Sequence, residues 1–321
     1  MPDRADVTFP SHGERCAAWH LTGEGDAFAR EGGRPCVVMA HGFGCTKDSG
    51  LLPFAESFAE AGLDVLLFDY RGFGESSGEP RQFAWPPRHR QDYAAAVEFA
   101  RGLDGVDPER IVLWGTSWSG GHVVYIAADD PRIAAVISQT PDLDGLATLR
   151  QIGRYAGLGQ QLKLTRLGIR DAVRMARDEE PLMIPAVGPP GTLGGLTTED
   201  SDPGMRAIAG PTWRNEVTAR AVFAEWTNRA AARMEKLRCP VLVQVAADDV
   251  VIPAAAVRAA AWRAKGRVEM REYPCVHFDI YLEWREHAVA DQLHFLRRHL
   301  GATERASDAP VAVPEPAAAA D

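Results

Sequence analysis

The sequence predicts an α/β fold built on a mainly parallel sheet. Three observations carry that expectation. Short apolar, strand-like runs alternate with helix-like segments, as βαβ units require. The intervening segments place apolar residues three and four apart, the spacing of a helix with one buried face. The chain has 321 residues, 46% hydrophobic and 25% charged. That suits a soluble protein with one large domain and an insertion, or two small domains.

The elements follow in order. Residues 37–40 form a strand that runs into His41-Gly42-Phe43-Gly44. A helix after it has Leu51, Phe54, Ala55 and Phe58 on one face. Residues 65–70 form a second strand, followed by a Gly-rich loop and a helix with Tyr93, Val97 and Ala100 inward. Asp107-Pro108-Glu109-Arg110 reads as a turn into a strand at 111–115. The next helix carries Val123, Val124 and Ala127, and residues 134–138 form another strand. Strands at 241–246 and 268–273 come much later, and a closing helix aligns Val289, Leu293, Leu296 and Leu300.

Residues 142–236 interrupt this rhythm and are too many for a simple connection, so they read as an inserted, mostly helical cap. Helices are expected there at 162–177 and 215–236, around a Pro/Gly-rich middle at 185–195. The domains expected are a core of residues 1–141 and 237–301, the cap at 142–236, and a tail at 302–321. That tail is rich in Ala, Pro and Glu and unable to build a core.

The formal charge of −9 argues against a nucleic-acid partner. No apolar run approaches a membrane span, and the first residues lack the apolar core of a signal peptide. Five scattered cysteines with no Cys-x-x-Cys pair suit reduced thiols in a cytoplasmic protein. Cys45 lies near the site described next and reads as a small packing residue. No metal-ligand spacing and no dinucleotide fingerprint occurs, so neither a metal nor another cofactor is expected. The oligomeric state is open, a homodimer included.

The most informative stretch is Ile111-Val112-Leu113-Trp114-Gly115-Thr116-Ser117-Trp118-Ser119-Gly120-Gly121. An apolar run, a Gly, a Ser and then small residues opening a helix is how a nucleophile elbow reads. Two registers fit. Ser117 keeps a Gly two residues before it, and Ser119 keeps one two residues after it. The strand's last residue should be the small one, which favours Ser117.

A serine hydroxyl needs a base in reach, and the base needs an acid to hold its tautomer. In an α/β arrangement these follow in the order Ser, acid, His, each just after a later strand. The strand at 241–246 ends in Ala247-Asp248-Asp249, where both aspartates compete for the acid's role. The strand at 268–273 ends in Pro274-Cys275-Val276-His277. Of nine histidines His277 alone follows a late strand; His122, one turn into the helix after the elbow, is the weaker candidate. The loop 41–44 can turn the Phe43 N–H toward the point that the Trp118 N–H addresses, making an oxyanion hole. Asp69-Tyr70-Arg71-Gly72-Phe73-Gly74-Glu75-Ser76 lacks the Lys and spacing of a phosphate loop and reads as a structural turn.

His-Gly-Phe-Gly at 41–44, Asp-Tyr-Arg-Gly-Phe-Gly-x-Ser at 69–76 and Gly-Thr-Ser-Trp-Ser-Gly-Gly-His at 115–122 resemble the α/β-hydrolase superfamily. Within it they resemble a bacterial branch described as dienelactone-hydrolase-like or serine-aminopeptidase-like. The resemblance covers nearly all but the tail and the cap's details. It implies an eight-stranded sheet with helices on both faces, the nucleophile after strand five and the acid after strand seven. The acid there stands four residues before a Pro, and Pro253 then selects Asp249. Ser119 departs from the superfamily's usual Gly, a substitution familiar in this branch.

The expected function is hydrolysis of an ester, thioester or lactone through an acyl-enzyme on Ser117, Asp249 and His277. Phe43 and Trp118 would hold the oxyanion. Met175, Met183, Leu193 and Trp213 in the cap suggest a small-molecule substrate that is apolar acyl or aromatic, with Met183 and Trp213 as binding candidates. Acyl transfer, C–C bond cleavage or peptide cleavage on the same triad is the alternative. A non-catalytic ligand-binding protein is a third reading.

Overall fold

The computed structural model describes residues 2–301. The tail expected at 302–321 lies outside the described residues. An eight-stranded sheet runs through the molecule in the order β1 (Arg4–Ser11), β2 (Glu14–Leu21), β4 (Asp64–Phe68), β3 (Arg34–Ala40), β5 (Val106–Thr116), β6 (Ile133–Gln139), β9 (Val241–Ala246), β10 (Val268–Tyr273). From β4 to β10 all pairs are parallel. β1 and β2, which the run-by-run reading leaves out, are antiparallel to each other, and β2 is antiparallel to β4.

Alternation along β3 divides the core between two faces. Cys36, Val38 and Ala40 point to a layer with α2 (Pro86–Arg101) and α3 (Trp118–Asp129), through Tyr93, Val97, Val123 and Val124. Val37 and Met39 point to the other layer, with α1 (Leu52–Glu60) and α7 (Arg285–Leu300), through Phe54, Phe58, Phe295 and Leu296. The expected helix faces around Phe54, Tyr93 and Val123 are therefore the buried ones. α6 (Ala254–Ala261) follows β9 on the α2 and α3 side.

Three expectations are corrected. Residues 107–110 are not a turn but the start of β5. The register with β3 slips between Arg34–Val106 and Cys36–Ile111, and Pro108 is tolerated in this irregular stretch. The strand expected to run to residue 70 stops at Phe68. Asp69 turns the chain, accepting from Lys47 N at 2.6 Å and Glu75 N at 3.1 Å. The buried Lys47 ammonium also meets Asp69 at 3.0 Å, so the 69–76 loop is a tied turn. Residues 215–236 are not an α-helix. They form β8 (Val217–Thr218), paired with β7 (Met183–Ile184), then 3-10 turns at Ala219–Thr227, Ala230–Ala232 and Met234–Lys236. Asn228, bonded to the Asp142 carbonyl at 2.9 Å, fixes this irregular path.

The chain leaves the sheet after β6 into α4 (Gly145–Ala176). Asp144 caps α4 by accepting from Leu146 N and Ala147 N, and the helix breaks at Gly157 (φ 75°, ψ 162°). The helix expected at 162–177 is thus its second arm. The buried Asp171 on that arm accepts from Leu182 N at 2.8 Å and Arg220 N at 2.9 Å, stitching α4 to the strands and turns that follow. Residues 185–195 add loop, and α5 (Ser201–Ile208) completes the segment.

Candidate active site

The site begins at the junction of β5 and α3. Thr116 ends the strand, Trp118 opens the helix, and Ser117 between them sits at φ 54°, ψ −119°. Such a backbone is strained for a residue with a Cβ and persists only where the surroundings hold it. Close packing does so here. A Cβ on Gly115 would lie 2.3 Å from the Ser119 carbonyl oxygen, and one on Gly121 would lie 2.4 Å from that of Asp142. Only glycine lets the first turn of α3 settle so near the ends of β5 and β6.

His277, on the loop after β10, reaches Ser117 Oγ with Nε2 at 3.1 Å. Its Nδ1 lies 2.6 Å from Asp249 Oδ2, on the loop after β9. The carboxylate can only accept, so Nδ1 carries the proton and Nε2 is left free to accept from the serine. Asp249 Oδ1 is itself held by Val251 N and Ile252 N, both at 2.8 Å. Burial pushes the His277 pKa down, but the charge and hydrogen bond of Asp249 push it further up, to a net value above the ordinary one. The side chains of His277 and Asp249 are 2% and 3% exposed, which excludes water from that bond.

The peptide units that carry the Phe43 and Trp118 N–H groups are each anchored through their carbonyl. The buried His41 donates from Nδ1 to the Gly42 carbonyl at 3.0 Å, its pKa lowered by burial. A trans peptide points its N–H opposite its C=O, so anchoring Gly42 orients the Phe43 N–H. The Ser117 carbonyl accepts from Gly120 N at 3.1 Å and Asp142 N at 2.9 Å, which orients the Trp118 N–H likewise. As the first residue of α3, Trp118 has no carbonyl to meet within its helix. A Cβ on Gly42 would fall 3.1 Å from that of Ser117, so the loop passes against the serine.

Above Ser117, Phe43 and Trp118 opens a cavity of about 910 Å³. α4 supplies Leu146, Leu149, Ile152 and Leu164 to its wall, and the later elements supply Ile184, Leu196, Val217 and Ile252. This volume is at the upper end of small-molecule pockets. A partly open, largely apolar cavity over a serine that meets a histidine has the chemistry to take an acyl compound.

A family model described as serine aminopeptidase, S33, matches residues 33–283. The chain belongs to that family, within the α/β hydrolases. This α/β hydrolase is 36% identical over 296 residues to the quorum-quenching protein AidA of Acinetobacter baumannii strain MDR-ZJ06, covering 91% of this chain and 94% of the relative. It is 28% identical over 281 residues to the polyketide transferase af380 of Aspergillus fumigatus, covering 83% and 90%. Among solved structures, the α/β hydrolase GrgF of Penicillium sp. sh18 matches it in fold. The TM-score is 0.78 at 24% identity, over 93% of this chain and 99% of that one.

Within this α/β hydrolase, Ser117, Asp249 and His277 come together, and Phe43 and Trp118 flank them. Asp248 is exposed. Ser119 is buried, its Oγ 2.8 Å from the Ala40 carbonyl and 3.0 Å from that of Thr116, with Thr116 N donating to it at 2.8 Å. His122 packs with Tyr70, His89 and Trp118, its pKa lowered by burial. Cys45 is buried with its Sγ 3.6 Å from Met205 Sδ, and burial followed by the charge of Asp48 pushes its pKa up to about 12.

Met183 and Trp213 do not line the cavity. Ile184, next to Met183, does, and the Trp213 indole instead donates to the Gly44 carbonyl at 3.1 Å. Met175 is exposed. Sequence reasoning missed His41 as an anchor, although it opens the motif at 41–44. It also missed Glu225, which lines the cavity with Asp142 and which nothing nearby in the chain marks out. Among the described residues no helix is long and apolar enough to cross a membrane.

Proposed function

We propose that this α/β hydrolase cleaves an ester, thioester or lactone of an apolar acyl group through an acyl-enzyme on Ser117. One observation carries the reading. The run of contacts from Asp249 through His277 ends at Ser117, which lines a large, mostly apolar cavity. In the cycle, His277 Nε2 takes the Ser117 proton as Oγ attacks the carbonyl carbon. The Phe43 and Trp118 N–H groups stabilise the oxyanion, each worth about 3 kcal/mol where such donors have been removed. His277 then protonates the leaving oxygen or sulfur, and water, activated by the same imidazole, releases the acid.

Residues 142–236 act as the cap in this reading, with α4 and the segment around Val217 setting the shape of the acyl site. Acyl transfer to an alcohol or amine is the second reading. It is favoured by the largely apolar lining of the cavity and by the relative named a polyketide transferase. The substrate is a small molecule, and five free, buried thiols suit a cytoplasmic setting. A fluorophosphonate probe, followed by intact mass, tests the nucleophile. A screen of p-nitrophenyl esters, thioesters and lactones, with and without a competing alcohol, separates hydrolysis from transfer. No adduct and no turnover in any class would refute the reading.

A further inference from the structure

The hydrolytic cycle uses neither of two carboxyl groups that line the cavity beside the serine, Asp142 and Glu225. Asp142 is 2% exposed, and its amide donates to the Ser117 carbonyl at 2.9 Å, so it adjoins the nucleophile. Its Oδ1 accepts from Thr148 Oγ1 at 2.8 Å. Asp142 Oδ2 and Glu225 Oε2 are both buried with no hydrogen-bond partner. Gly145 packs closely against Glu225, since a Cβ there would lie 2.0 Å from the Glu225 carbonyl oxygen and 2.9 Å from Oε2.

Two neighbouring buried carboxyls resist ionising together, because their like charges repel away from water. Thr148, Asn228, Trp118 and Asp144 face the pair, and none is a cation. Burial, and then the charge of Asp142, raises the Glu225 pKa well above the ordinary value, and burial raises that of Asp142 as well. The pair thus lines the cavity with carboxyl oxygens that no donor meets. A plain hydrocarbon chain against it would strand those lone pairs away from water.

We propose that Asp142 and Glu225 form a polar subsite that selects substrates bearing a neutral hydrogen-bond donor, a hydroxyl or an amide N–H, within a few atoms of the scissile carbonyl. The inference rests on the hydrolytic reading for the position of that carbonyl, and binding tests it independently of turnover.

The ligands are the methyl esters of hexanoic, 2-hydroxyhexanoic, 3-hydroxyhexanoic and N-acetyl-2-aminohexanoic acids, titrated calorimetrically into the full-length Ser117→Ala protein. At least one donor-bearing ester should bind about tenfold or more tightly than methyl hexanoate, the discrimination expected of one hydrogen bond to a buried, otherwise unpaired acceptor. Adding Glu225→Gln should retain the preference, because the Gln amide can donate to Asp142 and still offer an oxygen. Adding Glu225→Met, similar in length but without polar atoms, should reduce it to less than about threefold. Equal binding of all four esters, which needs no Glu225 variant, overturns the inference. So does a preference that survives Glu225→Met or that Glu225→Gln abolishes. Turnover and fluorophosphonate labelling of the wild-type protein report on the hydrolytic reading separately.

Discussion

Ser119 Oγ donates to the Ala40 carbonyl at 2.8 Å, tying the first turn of α3 to the end of β3. A hydroxyl held this way, with no exposure, cannot approach a substrate, whereas Ser117, two residues away, lines the cavity. Ser117→Ala should therefore lose turnover by up to about a million-fold, as loss of a triad nucleophile does in a well-studied serine protease. Ser119→Ala should lower the stability by about 1–3 kcal/mol, because it strands buried backbone groups, and keep most of the activity. Ester assays and chemical denaturation check both, and a fluorophosphonate adduct on the Ser117→Ala protein would contradict the assignment.

Much of this arrangement is legible in the chain, because strands, helix faces and turn glycines are local in sequence. Gly115 at the end of an apolar run marks the elbow, and Asp249 and His277 follow the last two strands at the same sheet edge. What the chain does not display is set by distant partners. α7 aligns Leu293 with its apolar face, yet the fully buried residue is Gln292, which donates to Gln139 at 2.9 Å and Gln244 at 2.6 Å from two strands. A glutamine reads as surface until its partners are known. Glu225 is unreadable for the same reason, its partner Asp142 lying on the far side of α4 in the chain. The segment at 215–236 misleads because its apolar spacing resembles a helix, while the bond from Asn228 to Asp142 imposes another path.

The Asp249 carboxylate makes a prediction in two parts. Its pairing raises the His277 pKa, and His277 must be neutral to act as a base. Activity should then fall with acid through one titration whose midpoint lies above about 6.5, the reference for histidine. Asp249→Asn should lower kcat about ten-thousand-fold, the loss seen for an orienting carboxylate in a related triad, and shift that midpoint downward. Asp248→Asn, being exposed, should do neither. A pH profile of kcat/KM for the three proteins decides the matter. An active Asp249→Asn enzyme beside an inactive Asp248→Asn one would exchange their roles.

His41 tests the aiming of the oxyanion donors. Its bond to the Gly42 carbonyl orients the Phe43 N–H without touching a substrate. His41→Ala should lower kcat about ten- to a hundred-fold, less than outright removal of a donor, while KM changes little. His41→Asn, which keeps a donor of shorter reach, should recover part of the loss. A rise in KM with kcat intact would point instead to a change in the cavity wall.

The last prediction concerns the length of the acyl group. Leu149 of α4 and Ile252 after the acid both line the cavity, and Met183 does not. Leu149→Trp adds bulk to the wall without altering Ser117, His277 or their partners. Short acyl esters fit beside it, so kcat/KM for p-nitrophenyl butyrate should stay within about threefold, whereas the dodecanoate should lose about tenfold or more. Met183→Leu, a swap of similar volume, should leave the ranking of chain lengths alone. Trp213→Phe acts elsewhere, since the lost indole bond frees the Gly44 carbonyl and should lower kcat for every ester alike. A chain-length series on the three variants distinguishes these outcomes. If Leu149→Trp scales all esters equally, the acyl group does not occupy this part of the cavity.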